Sequence, residues 1–168
     1  MPIDEPRFDL LGTPTFSVGG ESALLPDTVP SRLVALLALR GTAIARTELA
    51  GLLYPDEPDG VALQRVRLQL SRARKLHARL PLKASKHYAS CVAVTDVQEL
   101  LSEVGDRDWA GASKRAAPRL LAAWELTPAL TEALQPLENQ LKEAWLLAIR
   151  RRAQDLLSQA DSEAAVAL

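Results

Sequence analysis

Eight basic residues, Arg65, Arg67, Arg72, Arg74, Lys75, Arg79, Lys83 and Lys86, fall within residues 60–95, and no Asp or Glu stands among them. Such a block attracts phosphate, because neutralising several phosphates releases their condensed counterions and drives binding at low salt. Arg adds a planar fork of donors that fits a guanine edge or a phosphate bidentately. Gln64 and Ser71 lie in the same stretch and can bond base edges, while Leu68 offers methyl groups to a thymine methyl. The net charge of −1 hides this block. Residues 1–59 hold four basic and nine acidic residues (−5), residues 60–95 sum to +8, and residues 96–168 hold eight basic against twelve acidic (−4). The acidic flanks can also pair with the block and mask it.

Other chemistries find little support. There is no Gly-rich phosphate loop, no metal-ligand spacing, and only two His to serve as a base, so the chain reads as a non-enzyme without a cofactor. Cys91 with His87 falls short of the ligand count zinc requires, and a lone Cys staples nothing within the chain. A reducing, cytoplasmic setting is expected. With 48% hydrophobic residues the chain can bury a core and is not disordered. No apolar run nears the roughly 18 residues of a membrane span, and the N-terminus lacks the pattern of a signal peptide. His77 reads as a partly buried core residue, His87 as an exposed one, and Trp109, Trp124 and Trp145 as packing.

Elements must hold the basic groups in place. Residues 7–11 and 15–18 read as strands, Gly19-Gly20 as a hairpin turn, and 22–25 as the returning strand. A helix follows, capped by Ser31 and stopped by Gly41, then a second over 46–54 that Pro55 ends. Asp59 can cap a third helix over 61–77. At 100° per residue, Leu63, Leu70, Ala73 and His77 fall within about 60° of Val66 and form an apolar stripe. Gln64, Arg65, Arg67, Leu68, Ser71, Arg72 and Lys75 fill the opposite half, with Arg74 on the flank. Residues 82–94 read as a hairpin with Lys83, Lys86 and His87 near its tip. Helices are expected at 97–104, 109–124 and 131–158, and the stretch from Ala160 reads as a new capped helix cut short within about two turns, as in a fragment of a longer protein.

Strands, three helices with a basic third, and a basic hairpin make an α+β winged helix-turn-helix, here over residues 1–95, followed by an all-α module over 96–168. Four segments in this order resemble the SARP-type bacterial transcriptional activators. They are Arg7-Phe8-Asp9-Leu10-Leu11-Gly12 with Val18-Gly19-Gly20, the segment Glu48-Leu49-Ala50-Gly51-Leu52-Leu53-Tyr54-Pro55-Asp56-Glu57-Pro58, the helix Val66-Arg67-Leu68-Gln69-Leu70-Ser71-Arg72-Ala73-Arg74-Lys75-Leu76, and Asp96-Val97-Gln98-Glu99-Leu100-Leu101. The resemblance implies an OmpR/PhoB-class winged helix on promoter repeats, bound as a homodimer, followed by a TPR-like bacterial transcriptional activator module, here incomplete. It places Arg65, Leu68, Ser71, Arg72 and Arg74 on DNA and Tyr54, where the family usually has Trp, on a phosphate. It also sets Asp56, Glu57 and Asp59 in a loop that touches the sigma factor of RNA polymerase. Ala73, His77 and His87-Tyr88-Ala89 depart from the family pattern.

Bland readings stand beside these. A basic helix face is commonly only a solvated face, Leu68 can pack on the hairpin, and the acidic loop can be plain turn chemistry. A winged helix can also serve as a protein-interaction scaffold that never touches DNA. The expected function is a sequence-specific DNA-binding activator whose partners are duplex promoter DNA and RNA polymerase, with no membrane.

Overall fold

The computed structural model describes residues 5–166, with side chains to residue 160. Alternation of apolar residues makes the first sheet. Strands β1 (Arg7–Asp9), β2 (Thr15–Val18) and β3 (Glu21–Leu24) pair antiparallel in turn. They point Phe8, Phe16 and Val18 inward, and the Phe8 and Phe16 rings lie 4.9 Å apart. Gly19 and Gly20 close the β2–β3 turn at φ 60° and 83°, which a side chain would disfavour.

Helix α1 (Val29–Arg40) runs through the centre of the core, with Leu33, Val34 and Leu37 fully buried. It begins before Ser31, the expected cap. Pro30 suits a first helical turn because its ring presets φ, so Thr28 takes the cap position and the buried Ser31 hydroxyl lies 3.0 Å from that of Thr28. Gly41 ends the helix at φ 64°, its N–H donating to the Leu37 carbonyl.

Strand β4 (Ile44–Ala45) leads into α2 (Arg46–Leu53), and α3 (Asp59–Ala73) packs across α2 and α1. Asp59 is the first residue of α3 and not its cap, since Pro58 stands there. The helix also stops short of His77. Lys75 and Leu76 donate to the carbonyls of Arg72 and Ala73, a tighter turn that leads His77 edge-on against Phe16, ring centroids 5.0 Å apart. Arg74 and Lys75 therefore sit in a turn at the end of α3. The buried stripe of α3 is Ala62, Val66, Gln69, Leu70 and Ala73, with Leu63 only partly covered. Strands β5 (Leu82–Ala84) and β6 (Tyr88–Cys91) form the expected hairpin, and β6 also pairs with β4.

Strand β7 (Val94–Thr95), not foreseen, lies parallel to β1 and completes the order β3-β2-β1-β7. Thr95 caps α4 (Asp96–Gly105) by accepting from the Gln98 N–H. The helix expected over 109–124 is only α5 (Trp109–Lys114). Arg115 turns extended, and Pro118, which disfavours a helical residue before it, keeps the chain irregular. The following residues join the first sheet's end: Leu121 donates to the Leu10 carbonyl and Gly12 to that of Arg119, both at 2.8 Å. Helix α6 (Pro128–Val166) runs on past Ala160 with no new cap, and residues 167 and 168 lie outside the described residues.

The helices after β7 share one apolar core with the elements before it: Leu100, Leu121, Leu130 and Leu141 are as buried as Phe8 and Leu33. A polar seam reinforces the join. The buried Asp96 carboxylate accepts from the backbone N–H groups of Leu10 (2.8 Å) and Leu11 (2.9 Å). Arg7 is bonded through both terminal nitrogens to Glu99, while Arg115 reaches Glu99 at 3.1 Å and Glu103 at 2.6 Å. Trp145 donates its indole N–H to the Arg115 carbonyl.

Candidate nucleic-acid interface

Because Val66, Gln69, Leu70 and Ala73 are drawn into the core, helical geometry turns the residues of the opposite face outward. Gln64, Arg65, Arg67, Leu68, Ser71 and Arg72 are all exposed on the outer face of α3, and Arg74 and Lys75 are exposed in the turn that follows. Leu68 is 48% exposed and does not join the apolar cluster. Lys83 is exposed on β5, while Lys86 and His87 occupy the hairpin tip. The Ser85 hydroxyl holds that tip by accepting from the N–H groups of His87 and Tyr88. Among the described residues no carboxylate pairs with Arg67, Arg72, Arg74, Lys75, Lys83 or Lys86.

Arg65 differs from its neighbours. It bridges to Glu57 at 2.9 Å and lies 5.5 Å over the Tyr54 ring, so it ties the loop before α3 to the helix. Tyr54 itself closes α2, and its hydroxyl is buried without a hydrogen-bond partner among the described residues. Of the acidic loop, Asp56 and Asp59 are exposed and Glu57 is partly covered by its pairing with Arg65.

One contributor lay outside the basic block of the sequence. Arg46, the first residue of α2, donates its backbone N–H to the His87 carbonyl at 2.8 Å and so joins α2 to the hairpin tip. With Ala45, Thr47, Leu63, Arg67, Lys86, His87 and Tyr88 it lines an open cleft of about 360 Å³. Burial, and then the repulsion of Arg67 and Arg74, lowers the pKa of its guanidinium. No charge count could find Arg46, because 13 residues, the acidic loop among them, separate it from the basic block (its neighbours in space come from β4–β6 pairing).

The remaining reactive groups are structural. Burial pushes the Cys91 thiol up to about 12, which keeps it protonated and inert. No group of His, Cys, Asp or Glu among the described residues is arranged to hold a metal, and no described helix is long and apolar enough to cross a membrane.

The fold is thus a mixed α/β winged helix whose third helix and hairpin present one basic face, extended by further helices. A solved structure of Mycobacterium tuberculosis EmbR, in complex with a low-affinity phosphopeptide, has the same fold: TM-score 0.66 at 18% identity over 97% of this chain. The present chain spans 48% of the length of that one. No protein-family profile and no curated protein matches this sequence.

Proposed function

We propose that the chain is a sequence-specific DNA-binding transcriptional regulator of the SARP type, acting in the cytoplasm on duplex promoter DNA. One observation carries the reading. The outer face of α3 and the adjoining hairpin expose Arg67, Arg72, Arg74, Lys75, Lys83 and Lys86 with no carboxylate partner among the described residues. A helix of that width enters the major groove. There Arg67, Arg72, Gln64 and Ser71 meet base edges, and Leu68 meets a thymine methyl. Lys83, Lys86 and His87 reach the backbone or the neighbouring minor groove. Residues 1–95 supply this DNA-reading part, and residues 96–168 supply a TPR-like module that links it to an effector or partner.

Activation runs through RNA polymerase, with Asp56 and Asp59 offered to the sigma factor; Glu57 serves instead to orient Arg65. Two copies bind repeated half-sites. Selection from random duplex DNA, followed by sequencing, tests the reading. A repeat of fixed spacing supports it, with log K falling linearly against log salt. An unenriched pool with no salt-dependent binding rejects it in favour of a protein-interaction scaffold.

A further inference from the structure

A buried N–H donor with nothing to pair with is costly unless a ligand completes it. The half-buried Arg46 carries such a donor: its Nε is shielded from solvent and has no hydrogen-bond partner among the described residues. The nearest carboxylate in sequence, Glu48, is turned away to Arg40 at 2.6 Å. The cleft that Arg46 lines carries Arg67 on a second wall and Lys86 and His87 on a third, with no acidic residue in its lining. It sits at the start of α2, whose cap residue Ala45 supplies no side-chain acceptor, so the partial positive charge of the first turn faces the same space. Thr47 adds a hydroxyl, and the exposed Tyr88 ring forms an edge of the cleft.

We infer that this cleft between α2, α3 and the hairpin is a pocket for one backbone phosphate of the bound duplex, with Arg46 and Lys86 gripping the same phosphodiester from opposite walls. The inference rests on the DNA-binding reading and deepens it. It assigns a binding role to Arg46, and it explains why a cation is held against its like-charged neighbours. Binding relieves the repulsion, because the phosphate supplies the anion the cluster lacks. The pocket fixes the position of α3 along the groove without reading sequence.

The test uses the full chain and a fluorescent duplex of mixed sequence, titrated across a sodium chloride series. Arg46→Gln and Lys86→Gln each lower the slope of log K against log salt. The double variant lowers it by about 0.9 in all, the value of one phosphate. A loss of about 1.8 in the double variant means two separate phosphates and overturns the shared pocket. Arg46→Gln keeps or raises the midpoint of thermal unfolding, since it removes an uncompensated charge; a lowered midpoint with an unchanged slope marks a structural residue and overturns the inference. A readout without substitution stands beside these. On adding the duplex to labelled wild-type chain, the Arg46 Nε–H resonance moves and gains protection from exchange; an unmoved resonance in a bound chain overturns the inference. If Arg72→Gln weakens binding while both pocket variants behave as wild type, the pocket fails and the DNA-binding reading survives. A wild-type chain that does not bind removes both.

Discussion

In the seam between β1 and α4, Arg7 and Arg115 are engaged by the carboxylates of Glu99 and Glu103, and Asp9 adds a further contact to Arg7. On the outer face of α3, Arg67 and Arg72 stand in solvent, and no described carboxylate pairs with them. The two regions use the same side chain for opposite ends. In the seam each guanidinium is neutralised from within by carboxylates of the chain itself, so it orders helices rather than waiting for an outside anion. On α3 the donors are unspent, and an outside anion can take them. The difference shows why a net charge of −1 is no guide to partners: twenty basic residues are split between groups paired at home and groups left open.

The comparison can be broken most severely at its paired side. Asp96→Ala leaves the Leu10 and Leu11 amides without their acceptor, at about 1–3 kcal/mol for each buried group. Urea unfolding of the variant should show a midpoint lowered accordingly, and an unchanged midpoint would mean the seam is dispensable. For the same reason a chain cut after Thr95 should lose cooperative unfolding, since Phe8, Leu10 and Leu33 share their core with Leu100 and Leu121.

Next in size is the open side. Arg72→Ala should cost about 1–3 kcal/mol on a selected site and relax the base preference at one position, with little change in stability. Titration of the variant against the selected duplex and its single-base variants checks this; equal discrimination by both proteins would reduce Arg72 to a phosphate contact.

Arg115→Gln tests the seam more gently. Its partners Glu99 and Glu103 are partly exposed, so the loss should be about 1 kcal/mol, and DNA affinity should not change. The reciprocal substitution, Arg67→Gln, should weaken DNA binding and leave the unfolding midpoint in place. A crossed result, with Arg115→Gln impairing binding, would couple the two regions.

The smallest effect is in acid. Bonding to Arg7, opposed by burial and aided by Arg115, lowers the Glu99 pKa below its ordinary 4.5. Its stabilising contribution is therefore complete above pH 4.5 and is lost as pH falls through the lower folded value. Asp96 acts in the opposite sense: burial raises its pKa above 3.8, so its contribution declines as pH rises from 3.8 to the folded value. Glu99→Gln should flatten the acid loss of stability, measured as unfolding midpoint against pH, and an unaltered profile would mean that the seam carboxylates do not govern it.

Much of the outer face of α3 was legible because helical periodicity is local. Once Val66 and Leu70 face inward, Arg67, Leu68, Ser71 and Arg72 must face out. The hairpin was legible for a similar reason, since its tip sits where apolar alternation stops. Helix ends were less so. Ser31 and Asp59 look like caps, yet Pro30 and Pro58 moved each start. Lys114 ends a helix that apolar spacing would carry further: Arg115 turns extended, where it pairs with Glu99 and Glu103, and Pro118 keeps the chain from resuming the helix.

The sequence by itself determined which surface would be basic: spacing at 3.6 residues per turn and the absence of acids from 60–95 settle that before any tertiary contact forms. Only the tertiary structure decided which cations stay open. Glu57 closes on Arg65, Glu99 and Glu103 take Arg115, and β4–β6 pairing brings Arg46 beside the hairpin tip with its Nε unmatched. Charge is a property of residues, but pairing depends on distance, and distance between residues far apart in the chain is set by the fold.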